Sequence, residues 1–276
     1  RSTWKNQVKF PENGTVFDYY FSPKTNRFES WETKRPKFVF NPEIPLSNVI
    51  VPTDETVCIR YFLDLMTDIG KPFMLVGNAG TGKTKLVQEK LLNLDSAKAT
   101  SCTINFNYYT DSASLQQIME QPLDKKGGTR YGPPGSTSLI YFIDDLNMPA
   151  LDNYGTQTPI ALLRQHMDYH HWYWYDKGKW LIKDILQVQY VACMNPTAGS
   201  FVIDPRLQRH FVTLAVNMPS LVNLKSIYGA ILEGHLQGFP RELIEFAPAL
   251  VNTSLMLHDK ISSTFQKNAV NFYYEF

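Results

Sequence analysis

The stretch "FMLVGNAGTGKTKLVQEKLLNL", residues 73–94, constrains this chain more than any other. Its centre, "GNAGTGKT", satisfies the pattern G-x-x-x-x-G-K-[ST], between an apolar run that reads as a buried strand and a helical pattern. That setting dictates the residue types. Gly77, Gly80 and Gly82 let the backbone wrap closely around phosphate oxygens, and Asn78, Ala79 and Thr81 complete the loop. The helix N-terminus adds unpaired N–H donors and the positive end of its dipole. Lys83 is expected to reach the β- and γ-phosphates, and Thr84 to place a hydroxyl on Mg²⁺. The predicted ligand is a nucleotide's phosphates with Mg²⁺, bound through residues 77–84.

A strand carrying the loop requires partners. Short apolar runs alternate with helical patterns: "FMLVG" (73–77), "CTINFN" (102–107), "LIYFID" (139–144), "VQYVACMN" (188–195) and "FVTLAV" (211–216). Buried-type strands separated by helices predict a five-stranded parallel α/β sheet flanked by helices. Before it, residues 1–50 are aromatic and turn-rich, with a hairpin signal around Ser22–Asn26. "PTDETVCIRYFLDLM" reads as an amphipathic helix capped by Thr53 or Asp54. From Pro219 the pattern is helical only. The predicted organisation is a linking segment (1–50), a large nucleotide-binding subdomain (51–218) and the start of a small helical lid (219–276).

The run "IYFIDDLNMP" sets two carboxylates at the end of a strand, where burial without partners would be costly. In such a fold a second, acid-bearing strand is expected beside the first. Asp144 is assigned to the metal, and Asp145 to orienting the water that attacks the γ-phosphate. Asn195, ending "VACMN", is assigned to the γ-phosphate or that water. In "DPRLQRHF", Arg206 and Arg209 stand three apart on one helical face and are expected to reach a nucleotide held by a neighbouring subunit. Arginine suits that task because it forks onto phosphate and keeps its charge.

Other features carry less. "PLDKKGGTRYGPPGST" (122–137) reads as a Gly/Pro loop, and "HWYWYDKGKWLIKDI" (171–185) as a hairpin turning at Asp176-Lys177-Gly178, its aromatic residues covering its own core or, as the alternative, offering a partner surface. His166, His170 and His171 read as helix-surface or hairpin residues, not a zinc set. A net charge of +1 gives no basic field for nucleic acid or an anionic membrane. No apolar run approaches the ~20 residues of a membrane helix. Three well-separated cysteines point to buried thiols in a reducing compartment rather than to disulfides. The glycosylation tripeptides at Asn13 and Asn252 have no consequence there. "RSTWKNQVKF" is not a signal peptide and reads as the interior of a longer polypeptide.

Together "GNAGTGKT", "FIDD", "CMNP", "PRLQRHF" and a trailing helical lid resemble an AAA+ ATPase. The longer stretches "VPTDETVCIRYFLDL", "YGPPGSTSLIYFIDDLNMPALDNYGTQTPIALLRQHMDY" and "CMNPTAGSFVIDPRLQRHF" resemble the third AAA+ module of axonemal dynein heavy chains, over essentially the whole sequence. The resemblance implies ATP or ADP between the large subdomain and the lid, with Val51 and Pro52 flanking adenine. It implies a regulatory, slowly hydrolysing ATPase that gates coupling between the first module and the microtubule-binding stalk in ciliary or flagellar movement. Arg206 and Arg209 would act on the second module's nucleotide, and the fourth module would supply this module's own finger. Implied partners are neighbouring modules of the same heavy chain, intermediate and light chains, and microtubules through the stalk. The implied location is the axoneme of a cilium or flagellum. Two departures stand out: the family's second acid is usually Glu, here Asp145, and the lid's sensor arginine is expected beyond Phe276. The rival readings are a binding-only module holding a resident nucleotide, a structural ring segment with a vestigial loop, and a P-loop kinase. The last would explain neither the Asn195 strand nor "PRLQRHF".

Overall fold

The computed structural model describes residues 9–196 and 202–265. Parts of the linking-segment, "CMNPTAGSF" and lid readings (1–8, 197–201 and 266–276) lie outside the described residues. The chain divides into two compact units, one of residues 1–58 with 219–276 and one of residues 59–218.

In the first unit β1 (Tyr19–Ser22) and β2 (Arg27–Ser30) form an antiparallel hairpin. The Trp31 indole N–H donates to the Phe17 carbonyl at 2.9 Å and the Trp31 ring lies against Tyr20, giving the hairpin its own small core. Helix α1 spans Asp54–Asp68. Thr53 caps it: the Thr56 N–H donates to the Thr53 hydroxyl at 3.3 Å, and the Thr53 N–H to the Thr56 hydroxyl at 2.8 Å. This is a capping box with threonine in the return position.

The second unit carries β3 (Phe73–Val76), α2 (Lys83–Leu92), β4 (Ala99–Asn105), α3 (Ser112–Glu120), β5 (Asp124–Gly127), β6 (Arg130–Gly132), β7 (Ser138–Asp144), α4 (Thr158–Tyr169), β8 (His171–Asp176), β9 (Lys179–Ile185), β10 (Val188–Met194), α5 (Pro205–Gln208) and β11 (Val212–Ala215). Five strands make one parallel sheet in the order β11-β3-β10-β7-β4. Its central strands are apolar along their length because helices cover both faces: Leu139 to Ile143 and Tyr190 to Cys193 are almost wholly buried. The acid-bearing strand is not beside the loop-bearing one, as the sequence suggested; β10 lies between β3 and β7. The Asn195 strand thereby occupies the sheet centre.

The 122–137 stretch is not a plain loop. Its β5 and β6 form a hairpin, and β6 pairs in parallel with β9, so the two inserts join in one four-stranded sheet, β5-β6-β9-β8. The β8–β9 turn has positive φ at Lys177 (48°) and Gly178 (81°), the two-residue turn that matches strand twist. Its aromatic residues divide. Trp172 is fully buried, whereas Tyr175 and Trp180 are exposed, so the hairpin covers a core only at its base. His166 is also corrected: it is buried in the core, not on the helix surface.

The first unit also holds α6 (Leu221–Leu236) and α7 (Arg241–Thr264). The Phe40 ring packs so closely on Gly234 of α6 that a Cβ there would lie 2.3 Å from Phe40 Cβ.

Candidate nucleotide site

The loop Gly77–Gly82 leaves β3 beside two other strand ends. The Gly77 N–H donates to the Met194 carbonyl at 3.2 Å, and the Val216 N–H to the Val76 carbonyl at 2.7 Å. The space is so tight that a Cβ on Gly77 would lie 2.1 Å from the Val216 carbonyl oxygen. Gly82 has φ +83°, a left-handed conformation that glycine adopts without cost, and turns the chain directly into α2. With glycine as N-cap, no side chain caps the first turn of that helix.

Lys83 lies buried within this loop. Its ammonium donates to the carbonyls of Gly77 and Asn78, both at 2.7 Å, and to the Thr81 hydroxyl at 3.3 Å. All three partners are neutral. A buried cation held by neutral oxygens, at an uncapped helix N-terminus, fits a phosphate anion as its counter-charge.

The Thr84 hydroxyl donates to Asp144 Oδ1 at 3.2 Å, joining the start of α2 to the end of β7. Asp144 is half-buried. Burial raises its carboxyl above the usual range, the Thr84 hydrogen bond lowers it, and the neighbouring Asp145 raises it again. A carboxylate thus disfavoured, beside a hydroxyl, suits a hard cation: Mg²⁺ takes one or two carboxylate or hydroxyl oxygens and keeps water on its other positions. The donor set fits the predicted metal.

Asp145 answers how adjacent acids divide. The strand ends at Asp144, and Asp145 has φ +55°, so the chain turns and the second carboxylate stands exposed. Its N–H donates to Asp144 Oδ1 at 3.2 Å, which fixes the two acids relative to each other. Asn195 follows the last residue of β10. Sequence reasoning passed over Asn147, although it lies in the same short stretch as the acids. The buried Asn147 amide donates to the Asn195 carbonyl at 2.9 Å, and the Gln157 amide to the Pro149 carbonyl at 2.7 Å. Asn147 therefore locks the turn after the acids to the end of the central strand.

Arg206 and Arg209 stand apart from these residues in sequence and differ in their surroundings. Arg209 Nη2 donates to Asp168 Oδ1 of α4 at 2.6 Å. The Arg206 guanidinium is exposed and has no hydrogen-bond or ion-pair partner among the described residues. Val51 and Pro52 lie just before α1, in the first unit.

Comparison with known proteins sets this geometry in context. Residues 38–219 match the family described as the P-loop containing dynein motor region. Over 278 residues, 99% of this chain, the sequence is 50% identical to dynein axonemal heavy chain 17 of Mus musculus. It is likewise 50% identical to the dynein alpha chain, flagellar outer arm, of Chlamydomonas reinhardtii over 277 residues, and 48% identical to the dynein beta chain, ciliary, of Heliocidaris crassispina over 271. The chain spans 6% of the length of each of these relatives.

Proposed function

This chain belongs to the P-loop-containing dynein motor family, and on that premise we propose that it is an ATP-binding, slowly hydrolysing regulatory AAA+ module of an axonemal dynein heavy chain, the third of its ring. The observation that carries the reading is the contact of Thr84 with Asp144 at 3.2 Å, beside a buried Lys83 at the head of α2. A vestigial loop would have no need to keep a buried cation and a half-buried carboxylate together.

In the proposed mechanism Lys83 releases the loop carbonyls and takes the β- and γ-phosphate oxygens, whose remaining negative charge meets the backbone N–H groups of residues 78–84. Thr84 and Asp144 would hold Mg²⁺, which would supply charge neutralisation for the phosphates. Asp145 orients the attacking water, and Asn195, fixed through Asn147, bonds the γ-phosphate or that water. Val51 and Pro52 flank adenine. Asp145 is one methylene shorter than the family's usual Glu. That shortening, with the exposed turn at φ +55°, favours slow turnover. It also supports the second reading, a binding-only module with a resident nucleotide.

At the level of the whole heavy chain, the reading places this module beside other AAA+ modules in a motor that works on microtubules in the axoneme of a cilium or flagellum, with intermediate and light chains as further partners. Arg206 is the better placed of the two arginines to act on the preceding module's nucleotide. Titration of the full motor with labelled ATP, with and without Lys83→Ala and with the other modules' lysines removed, tests the binding claim.

A further inference from the structure

We propose that Arg164 and Asp168, four residues apart on one face of α4, are positioning residues that clamp both ends of α5 and thereby aim Arg206. The inference rests on the reading of Arg206 as the group that acts on a neighbouring module.

Helix α5 is a single turn, Pro205–Gln208, too short to hold its own direction. Leu207 is fully buried against the core and pins one side of it. The direction of the exposed side is set by four charged groups. At the entrance, Arg164 Nη1 donates to Asp204 Oδ2 at 2.9 Å. The other oxygen of the same carboxylate, Oδ1, accepts from the backbone N–H of Arg206 at 2.9 Å. Arg164 is therefore one carboxylate away from the backbone of the residue that it would aim. At the exit, Asp168 Oδ1 accepts from Arg209 Nη2 at 2.6 Å and lies 2.9 Å from His210 Nε2.

Three observations argue against ordinary surface pairing. Asp168 stands in the last turn of α4, facing the negative end of the helix dipole, where a carboxylate is locally unfavourable. Its carboxyl is nevertheless held below the usual range, chiefly by the Arg209 hydrogen bond. The two pairs are spaced to match the two ends of α5, so they act on one rigid turn rather than independently. And of the two arginines the engaged one is Arg209, whereas the Arg206 guanidinium has no partner among the described residues. Ion pairs this exposed add little stability. What they restrict is orientation, and a displacement of about 1 Å can cost roughly 100-fold in a step that depends on placement.

The test uses the full heavy chain and reads the release of a fluorescent ATP analogue from the preceding module. Arg164→Met and Asp168→Ala should each change that release in the same direction as Arg206→Ala, by up to about 100-fold. Neither should add anything when combined with Arg206→Ala. Arg164→Lys, which can restore the pair, should recover most of the change. Melting temperature and nucleotide affinity at this module's own loop should stay as in the parent. Unaltered release in Arg164→Met and Asp168→Ala, while Arg206→Ala changes it, overturns the clamp and leaves the Arg206 reading standing. Unaltered release in Arg206→Ala overturns both. Additive effects, or a lowered melting temperature with weakened binding at the module's own loop, mean that the pairs are only structural, and also overturn the proposal. Should Asp168→Ala fail to fold, Asp168→Asn, which keeps the shape and loses the charge, is read in its place.

Discussion

The Thr84 hydroxyl donates to Asp144 Oδ1 at 3.2 Å, although β10 separates the strand leading to Thr84 from the strand ending in Asp144. The contact crosses the sheet centre at its carboxyl edge. It brings one residue from a helix start and one from a strand end within hydrogen-bond distance, the pair proposed to hold Mg²⁺. Hydrogen bonds to charged groups are worth about 1.5–3 kcal/mol, and a metal ligand in this position replaces one. Thr84→Ala should therefore weaken Mg²⁺-dependent ATP binding by at least about 10-fold, and Thr84→Ser should not. Calorimetric titration with and without Mg²⁺ separates the two variants.

Asp144 should show a trade of stability for function. Its folded carboxyl is raised by burial, so the unfolded chain ionises more readily than the folded one. The sign follows: this group lowers stability as pH rises through its unfolded value near 3.9, and the cost persists at neutral pH. Asp144→Asn removes that cost. The variant without nucleotide should melt above the parent at pH 7, while MgATP no longer raises its melting temperature. A lower melting temperature for Asp144→Asn would count against the account.

Asp145→Glu should speed hydrolysis. The two acids have nearly the same intrinsic pKa, ~3.9 against ~4.3, so basicity does not separate them. Reach does, because the shorter acid withdraws its carboxylate by about one C–C bond, and about 1 Å can cost roughly 100-fold. Asp145 lies just beyond the strand with φ +55°, its N–H tied to Asp144 Oδ1 at 3.2 Å, so a backbone shift that recovers the shortfall would have to disturb that contact. Single-turnover hydrolysis in a ring fragment that includes the following module reads the difference. Equal rates would show that Asp145 already reaches the water.

His166 should give the domain an acid-sensitive core. Its Nε2 lies 3.4 Å from the Ile185 carbonyl, which can only accept, so Nδ1 accepts from the Tyr190 hydroxyl at 2.9 Å. Burial pushes the imidazole down from 6.5 to about 4. The unfolded chain therefore takes up this proton first as pH falls, and stability drops between pH 6.5 and about 4 by roughly 3 kcal/mol in all. His166→Gln keeps hydrogen-bonding groups without titrating. Chemical denaturation across that window should show a flatter pH profile in the variant.

Glu120 should anchor the insert sheet. Its oxygens accept from the Trp172 indole N–H at 2.8 Å and the Lys183 ammonium at 2.6 Å. Glu120→Ala leaves a buried indole donor unsatisfied and a shielded ammonium without its carboxylate, at a cost of about 2–4 kcal/mol. Amide exchange in residues 171–185 should quicken more than in the five-stranded sheet.

What the sequence disclosed follows from how local each signal is. The strand–loop–helix around Gly77 and Lys83 was readable because its glycines, lysine and threonine fall at fixed spacing within one continuous stretch, and the five apolar strands because their central members are buried on both faces. The β5 strand escaped because "DKKG" is exposed throughout and carries no alternation, and its sheet exists only through pairing with a second insert more than forty residues away. His166 escaped because a polar residue was given a polar place. Yet it continues the buried stripe of Ile160 and Leu163 at helical spacing, a signal present in the sequence. The order of the strands, with β10 between the loop strand and the acid strand, is a tertiary fact with no local signature.

The central claim is that residues 77–84 hold a nucleotide through Lys83. Its most direct test is equilibrium binding of labelled MgATP to the full motor, the lysines of the other loops having been replaced so that this site alone is read. The parent should bind saturably at one site. Lys83→Ala, which removes a charge-assisted phosphate contact of about 1.5–3 kcal/mol, should lose at least about 10-fold in affinity. Equal affinity in Lys83→Ala and the parent would contradict the account.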